Sequence, residues 1–349
     1  MKTEVPFSSK RFFMTLMLCA CSVILLQNND LSKDSSFWLD LTGIIAGLAV
    51  CFLFFLPAII LKKKYNADVM TLANQTKPLF RLATAAFYAL YFLFTAAYFL
   101  ITYTDMFCKK YYPDASPCLI ALVLLACCVY AAIKGVNVIS RFGIFLFVLA
   151  LITNILMFAG SGSALHFDEN LAFRGTSAAF IQNTCYFITP GFIAAIYVCL
   201  SDCTRRFTWR QPLISLALTG VKFALVLFFI AFAVGEYAGR QEYPAYVLSR
   251  VAHFGSFAGI ESFYMALATM SVFMIISLLL CCVCRGFRQD GNLKWMAALA
   301  ALLFVLRFIA DRNNSLTELL TSVPVFNVLT FIAAVVIPSL YLIGRKKHA

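Results

Sequence analysis

Charge is what this chain has least of. Only 13% of its 349 residues are Asp, Glu, Lys or Arg, about half the share of an average soluble domain. With 62% hydrophobic residues it cannot clothe a globular surface in polar side chains, which excludes the soluble classes. Histidine is equally scarce: His166, His253 and His348 all fall outside the apolar stretches, so a histidine proton relay across a membrane is excluded. A phosphate-cradling Walker loop, a nucleophile elbow and a His-rich metal pattern are all missing. The chain therefore does not read as an enzyme, and no cofactor is implied. No segment between apolar stretches is long enough to fold by itself, leaving one membrane domain over 1–349.

Apolar stretches are abundant, at about 12–26, 37–61, 79–102, 118–133, 142–159, 178–200, 212–234, 258–283, 295–310 and 323–343. Most approach or exceed the ~20 residues that cross a bilayer, so the expected architecture is all-α, integral to the membrane, with ten spans. The net charge of +12 agrees with such a layout. Alternate segments between spans carry Lys2, Lys10 and Arg11; Lys62, Lys63, Lys64, Lys77 and Arg81; Lys134 and Arg141; Arg205, Arg206 and Arg210; Arg285, Arg288 and Lys294; and Arg345, Lys346 and Lys347. The other set holds eight basic residues, and Lys222 belongs to neither. The bias puts both termini of a multi-pass membrane protein in the cytoplasm. The basic surplus is thus a topology signal facing a lipid bilayer, and no nucleic acid is needed to explain it.

Thirteen Cys lie mostly inside spans, where thiols behave as small hydrophobes. Cys108 and Cys118 share one loop between spans; whether they pair is left open, because spacing alone does not fix disulfide geometry. The basic start followed by an apolar run resembles a signal peptide, yet cleavage would leave an odd number of spans, so the segment is expected to stay.

Two loops are long, at about 62–80 and 235–257, and each follows the second helix of a five-helix half. Five is odd, so the halves enter the membrane from opposite sides, as an inverted repeat requires. The halves are about 11–160 and 175–344. Their first helices, spans 1 and 6, can be compared at mid-depth. Span 6 carries Thr189-Pro190-Gly191, in which proline removes a backbone donor and clashes with the preceding turn. Carbonyls freed there need protein or water as partners, which makes the triplet a candidate substrate site. Gln182, Asn183 and Thr184 precede it by one to two turns, either as binding groups or as interhelical hydrogen bonders. The matching stretch of span 1 holds Cys21 and Ser22, small but without glycine or proline.

Lys222 lies about ten residues into span 7, close to the bilayer midplane. It could bind a substrate carboxylate, stand in for a coupling cation or carry a proton; or it could snorkel or bind carbonyls freed by the break. Glu261, near the start of span 8, is a second candidate coupling or counter-ion group, with Arg250 and His253 available to pair with it. Asp40 reads as a shallow interfacial carboxylate, and Gly43 with Gly47 forms a close-packing face.

Several stretches then line up with a known family. Glu242-Tyr243-Pro244-Ala245-Tyr246-Val247-Leu248-Ser249-Arg250, followed by Gly255-Ser256-Phe257 and Glu261, resembles a signature of the spore germination permeases, the GerAB-type B subunits of endospore germinant receptors. Lys33-Asp34-Ser35-Ser36-Phe37-Trp38, the run from Gly135 to Ser140-Arg141, and Asn170-Leu171 agree in order. The resemblance implies the amino acid–polyamine–organocation transporter fold of two inverted five-helix repeats, with a pocket between broken spans 1 and 6. It further implies sensing of a small nutrient, typically an amino acid, with an A subunit and a lipoprotein C subunit in the spore inner membrane. A secondary active amino acid permease, coupled to protons or ions, is the alternative that the residues leave open.

Overall fold

The computed structural model describes residues 8–26, 36–65, 67–166, 175–203, 210–253, 260–289 and 291–344. Lys33–Ser35, Asn170-Leu171 and Gly255-Ser256-Phe257 from the family-like stretches lie outside the described residues. Among the described residues every regular element is a helix. In chain order these are α1 (Ser9–Leu25), α2 (Phe37–Tyr65), α3 (Val69–Ala73), α4 (Pro78–Lys110), α5 (Pro117–Lys134), α6 (Val136–Gly160), α7 (Ser177–Ile188), α8 (Phe192–Leu200), α9 (Arg210–Phe229), α10 (Pro244–Val251), α11 (Ile260–Gly286), α12 (Leu293–Ala310), α13 (Asn314–Thr321), α14 (Val323–Phe331) and α15 (Ile337–Gly344). Short turns join α7 to α8 and α14 to α15, so each pair forms one long segment.

Nine described segments are long and apolar enough to cross a membrane. The 17-residue α1 is shorter but almost wholly buried, packed against α6, α9 and α11. Local chemistry sets the ends. Pro78, Pro117 and Pro244 open α4, α5 and α10 at the first turn, where the missing N–H costs nothing. Asp68 and Asn313 accept from the backbone N–H of Thr71 and Leu316 to cap α3 and α13. Gly135 joins α5 to α6 as a single residue with φ of +85°, a conformation costly for any residue with a Cβ. The stretch from Gly135 to Arg141 is therefore not a loop between spans but a sharp helix-to-helix joint.

The most buried segments, α4, α11 and α7–α8, form the interior, and α5, α6 and α12 wrap it. Their outward faces stay apolar, with Leu119, Leu122 and Val123 on α5, Phe145 and Ile155 on α6, and Val305 and Ile309 on α12 exposed. Such faces suit lipid and would be unstable in water. Each of the two long loops carries a short helix, α3 and α10. Cys108 and Cys118 are both free thiols.

Candidate functional site

Span 6 does not unwind at its proline. Thr189–Gly191 tightens into a 3₁₀ turn whose dihedrals remain right-handed, from −51°, −40° at Thr189 to −58°, −17° at Gly191. The expectation of an opened helix is corrected by how the freed carbonyls are satisfied. The Thr189 N–H donates to the Tyr186 carbonyl, three residues back, which leaves the Cys185 carbonyl without its helical donor. Asn327 of α14 fills that vacancy, its Nδ2 donating to Cys185 O at 2.6 Å. The Cys51 thiol of α2 reaches Ile188 O at 3.3 Å and Phe187 O at 3.7 Å. Side chains from α2 and α14 thus seal the turn from either side. Three buried oxygens at this place, Thr184 Oγ1, Thr189 Oγ1 and Asn327 Oδ1, have no hydrogen-bond partner among the described residues.

Close approach by α2 depends on glycine. A Cβ on Gly47 would stand 2.6 Å from Phe187 Cβ and 2.8 Å from its carbonyl carbon. One on Gly191 would stand 2.8 Å from the Phe54 ring. The Gly43–Gly47 face is accordingly the seam between α2 and α7.

α1 stays an unbroken α-helix through Cys21 and Ser22, because nothing there removes a donor. This corrects the expectation that span 1 is broken. Ser22 Oγ donates to its own helix at Leu18 O (2.8 Å), while Cys21 Sγ faces Thr219 of α9 at 3.8 Å. Asn183 and Gln182 point apart: Asn183 is buried and donates to Asp40 Oδ1 at 2.5 Å, whereas Gln182 is exposed. Lys222 lies on α9 one turn beyond Thr219, with Cys21 as its ionisable neighbour and no ion pair among the described residues. Glu261 pairs with Arg250 at 3.2 Å on the surface, and His253 turns instead to its own backbone at Val251 O.

What sequence reading missed is a cavity of about 200 Å³ at the bundle end remote from Lys62–Lys64. Its lining comprises Leu26, Tyr98, Thr102, Asp105, Lys109, Tyr186, Tyr243, Thr317 and Thr321. Asp105 Oδ1 accepts from Nη2 of Arg307 at 2.7 Å, and that guanidinium, almost fully buried in α12, also lies 3.6 Å from Asp311. Lys109 pairs with Glu242 at 2.5 Å. The family-like segment forms one wall: Glu242 holds Lys109, Tyr243 faces the cavity, and Tyr246 OH donates to Lys110 O at 3.2 Å. A signal was available, since Asp105 and Arg307 sit at the ends of apolar stretches where charge is costly.

At the opposite end, Lys62 Nζ donates to Asp202 at 2.6 Å and Arg285 Nη2 to Asp68 at 3.2 Å. Burial is the main cause that pushes the Asp68 carboxyl up to about 6; Arg285 opposes the shift and Asp202 reinforces it.

The arrangement of helices is that of a transporter-like membrane fold. Among solved structures, a substrate-bound, outward-open Na⁺-coupled sialic acid symporter superposes with a TM-score of 0.63 at 14% identity, covering 98% of this chain and 81% of that one. At that identity the likeness concerns the fold alone. A search of curated proteins gives no match. The family model described as Spore_permease, spore germination protein, matches residues 5–317, and the chain belongs to that family.

Proposed function

We propose that this protein is the membrane subunit of an endospore germinant receptor, binding a small nutrient of the amino acid class. Two inverted five-helix repeats, about 11–160 and 175–344, with both termini cytoplasmic, place the cavity on the external side. The observation that carries the reading is the cavity's wall: Tyr243, from the family-like segment, lines a space of nutrient size, and its neighbour Glu242 holds Lys109 at the rim. Such a site shifts the population of two helix arrangements only if the ligand binds one of them more tightly. The Thr189–Gly191 turn is the element we assign to that change, since among the described residues Cys51 and Asn327 are the side chains that hold its freed carbonyls. Asn183, Gln182, Cys21 and Ser22 flank it, and Lys222 and Glu261 are assigned as coupling or counter-ion groups. An A subunit and a lipoprotein C subunit would read the shift in the spore inner membrane.

One observation favours a second reading, a permease that moves its nutrient. The fold resembles that of a symporter, and Lys222 offers an ammonium within a span with no ion pair among the described residues. Uptake of labelled amino acids into proteoliposomes holding this chain alone separates the two. Binding without gradient-driven uptake is the receptor's result, while robust uptake sinks a pure sensor.

A further inference from the structure

We propose that the cavity beside α4 recognises a primary ammonium group, so that a zwitterionic amino acid binds amine-first; this rests on the nutrient-binding reading above. The lining decides it. Thr102 donates to Tyr98 O at 2.8 Å, Thr317 to Ala310 O at 2.7 Å and Thr321 to Thr317 O at 2.8 Å. Tyr186 OH donates to Val23 O at 3.0 Å. A hydroxyl carries one proton, so the three threonines have none left to donate and meet a guest as acceptors. Asp105 strengthens the bias: its Oδ1 serves Arg307, and its Oδ2 has no hydrogen-bond donor among the described residues.

Aromatic faces point the same way, because tyrosine rings attract cations. Tyr243, one of three lining tyrosines, already stands under the Lys110 ammonium at 5.8 Å from its centroid. A walled space rich in acceptors fits a group with three N–H donors and no acceptor, which is an ammonium. A carboxylate in the same place would meet lone pairs and an acid.

Lys109 supplies the cationic donor. It lies four residues beyond Asp105, on the same face of α4 and ~6 Å further along the axis. Its side chain is 54% exposed, so it stands at the rim, and Glu242 engages one of its three N–H groups. An α-amino acid therefore enters with its amine toward Asp105 and its carboxylate toward Lys109. The volume of about 200 Å³ admits a small amino acid.

The test uses the full chain in nanodiscs, alone and with its A and C partners. The common L-amino acids are titrated singly, followed by the amide and the N-acetyl form of the tightest binder. We expect the amide to stay within about tenfold of the parent and the N-acetyl form to be weaker by about 100-fold or more. Thr102→Val and Thr317→Val, which leave the Asp105–Arg307 pair in place, should each weaken binding about three- to tenfold. An N-acetyl form that binds like the parent, or valine variants that bind like wild type, would overturn the amine-first site while the nutrient reading stands. Absence of binding by every amino acid in both preparations would overturn both.

Discussion

Gly47→Ala adds one methyl group where span 6 leaves no room for it. The new Cβ would lie 2.6 Å from Phe187 Cβ, 2.8 Å from its carbonyl carbon and 2.9 Å from its oxygen. Ordinary contact begins near 3.4 Å, so α2 and α7 must separate by most of an ångström. The obstacle is largely backbone, and no rotamer change removes it. Overpacking of this kind costs about 1–3 kcal/mol. Against that stands a gain of up to about 1 kcal/mol, since alanine is the better helix former. The net expectation is a loss of about 1–2 kcal/mol, a factor of roughly 5–30 in the folded-to-unfolded ratio. Two alanine variants calibrate the measurement. Gly43→Ala comes no closer than 3.3 Å to any atom, at Asn183 Cβ, and should cost little, and Gly162→Ala meets nothing within 4 Å and should be neutral. Thermal unfolding of the three purified variants in one detergent, read by fluorescence-detected size exclusion, ranks them directly. A Gly47→Ala protein as stable as Gly162→Ala would refute the claim that α2 and span 6 are in fixed contact.

Three more expectations can be checked on the same preparations. Arg307→Met leaves Asp105 without its buried guanidinium partner and should destabilise by about 3 kcal/mol, whereas adding Asp105→Asn should recover much of that loss in the same melt. Lys222→Met should insert and fold but abolish the ligand response; a full response would refute a role for its charge. The third concerns pH. Because the Asp68 carboxyl is pushed up from 3.8 to about 6 in the fold, the native protein holds a proton that the unfolded chain has released between those values. Its stabilising contribution is complete below about pH 4 and disappears as pH rises through about 6. Melts from pH 4 to 7 should show this decline in wild type and a flatter profile in Asp68→Asn; parallel profiles would count against it.

Composition made the class legible, because only a bilayer makes this proportion of apolar surface stable. Most spans were legible too, since each is a long run bounded by charge or proline. Gly43 and Gly47 announced a seam, and Glu261 found Arg250 as the short distance in sequence suggested. The turn at Thr189–Gly191 was legible in place but not in form. Proline says that carbonyls are released, and only the tertiary fold says that Cys51 and Asn327, more than 130 residues away on either side, satisfy them. The cavity was hidden for the same reason. Asp105 and Arg307 are separated by 202 residues, and each alone looks like an ordinary charge at the edge of a span. Arg307 even counted as a loop residue in the charge alternation, although it is almost fully buried.

Tyr186 ties the cavity to the turn without any intermediate residue. Its side chain lines the cavity, and its hydroxyl donates to Val23 O in the last turn of α1. Its own carbonyl receives the Thr189 N–H, the first hydrogen bond of the 3₁₀ turn. Tyr264 of α11 clips the same helix end at Leu25 O, so two tyrosines satisfy carbonyls that an α-helix leaves open at its C-terminus. A guest that competes for the Tyr186 ring or hydroxyl therefore acts on the end of α1 and on the turn of span 6 together. The rest of the turn is held by one thiol, a weak donor, and one amide whose oxygen is unpartnered. Carbonyls held this weakly thus sit one residue from the cavity wall. That is where a small binding energy would be converted into a change of helix arrangement at least cost.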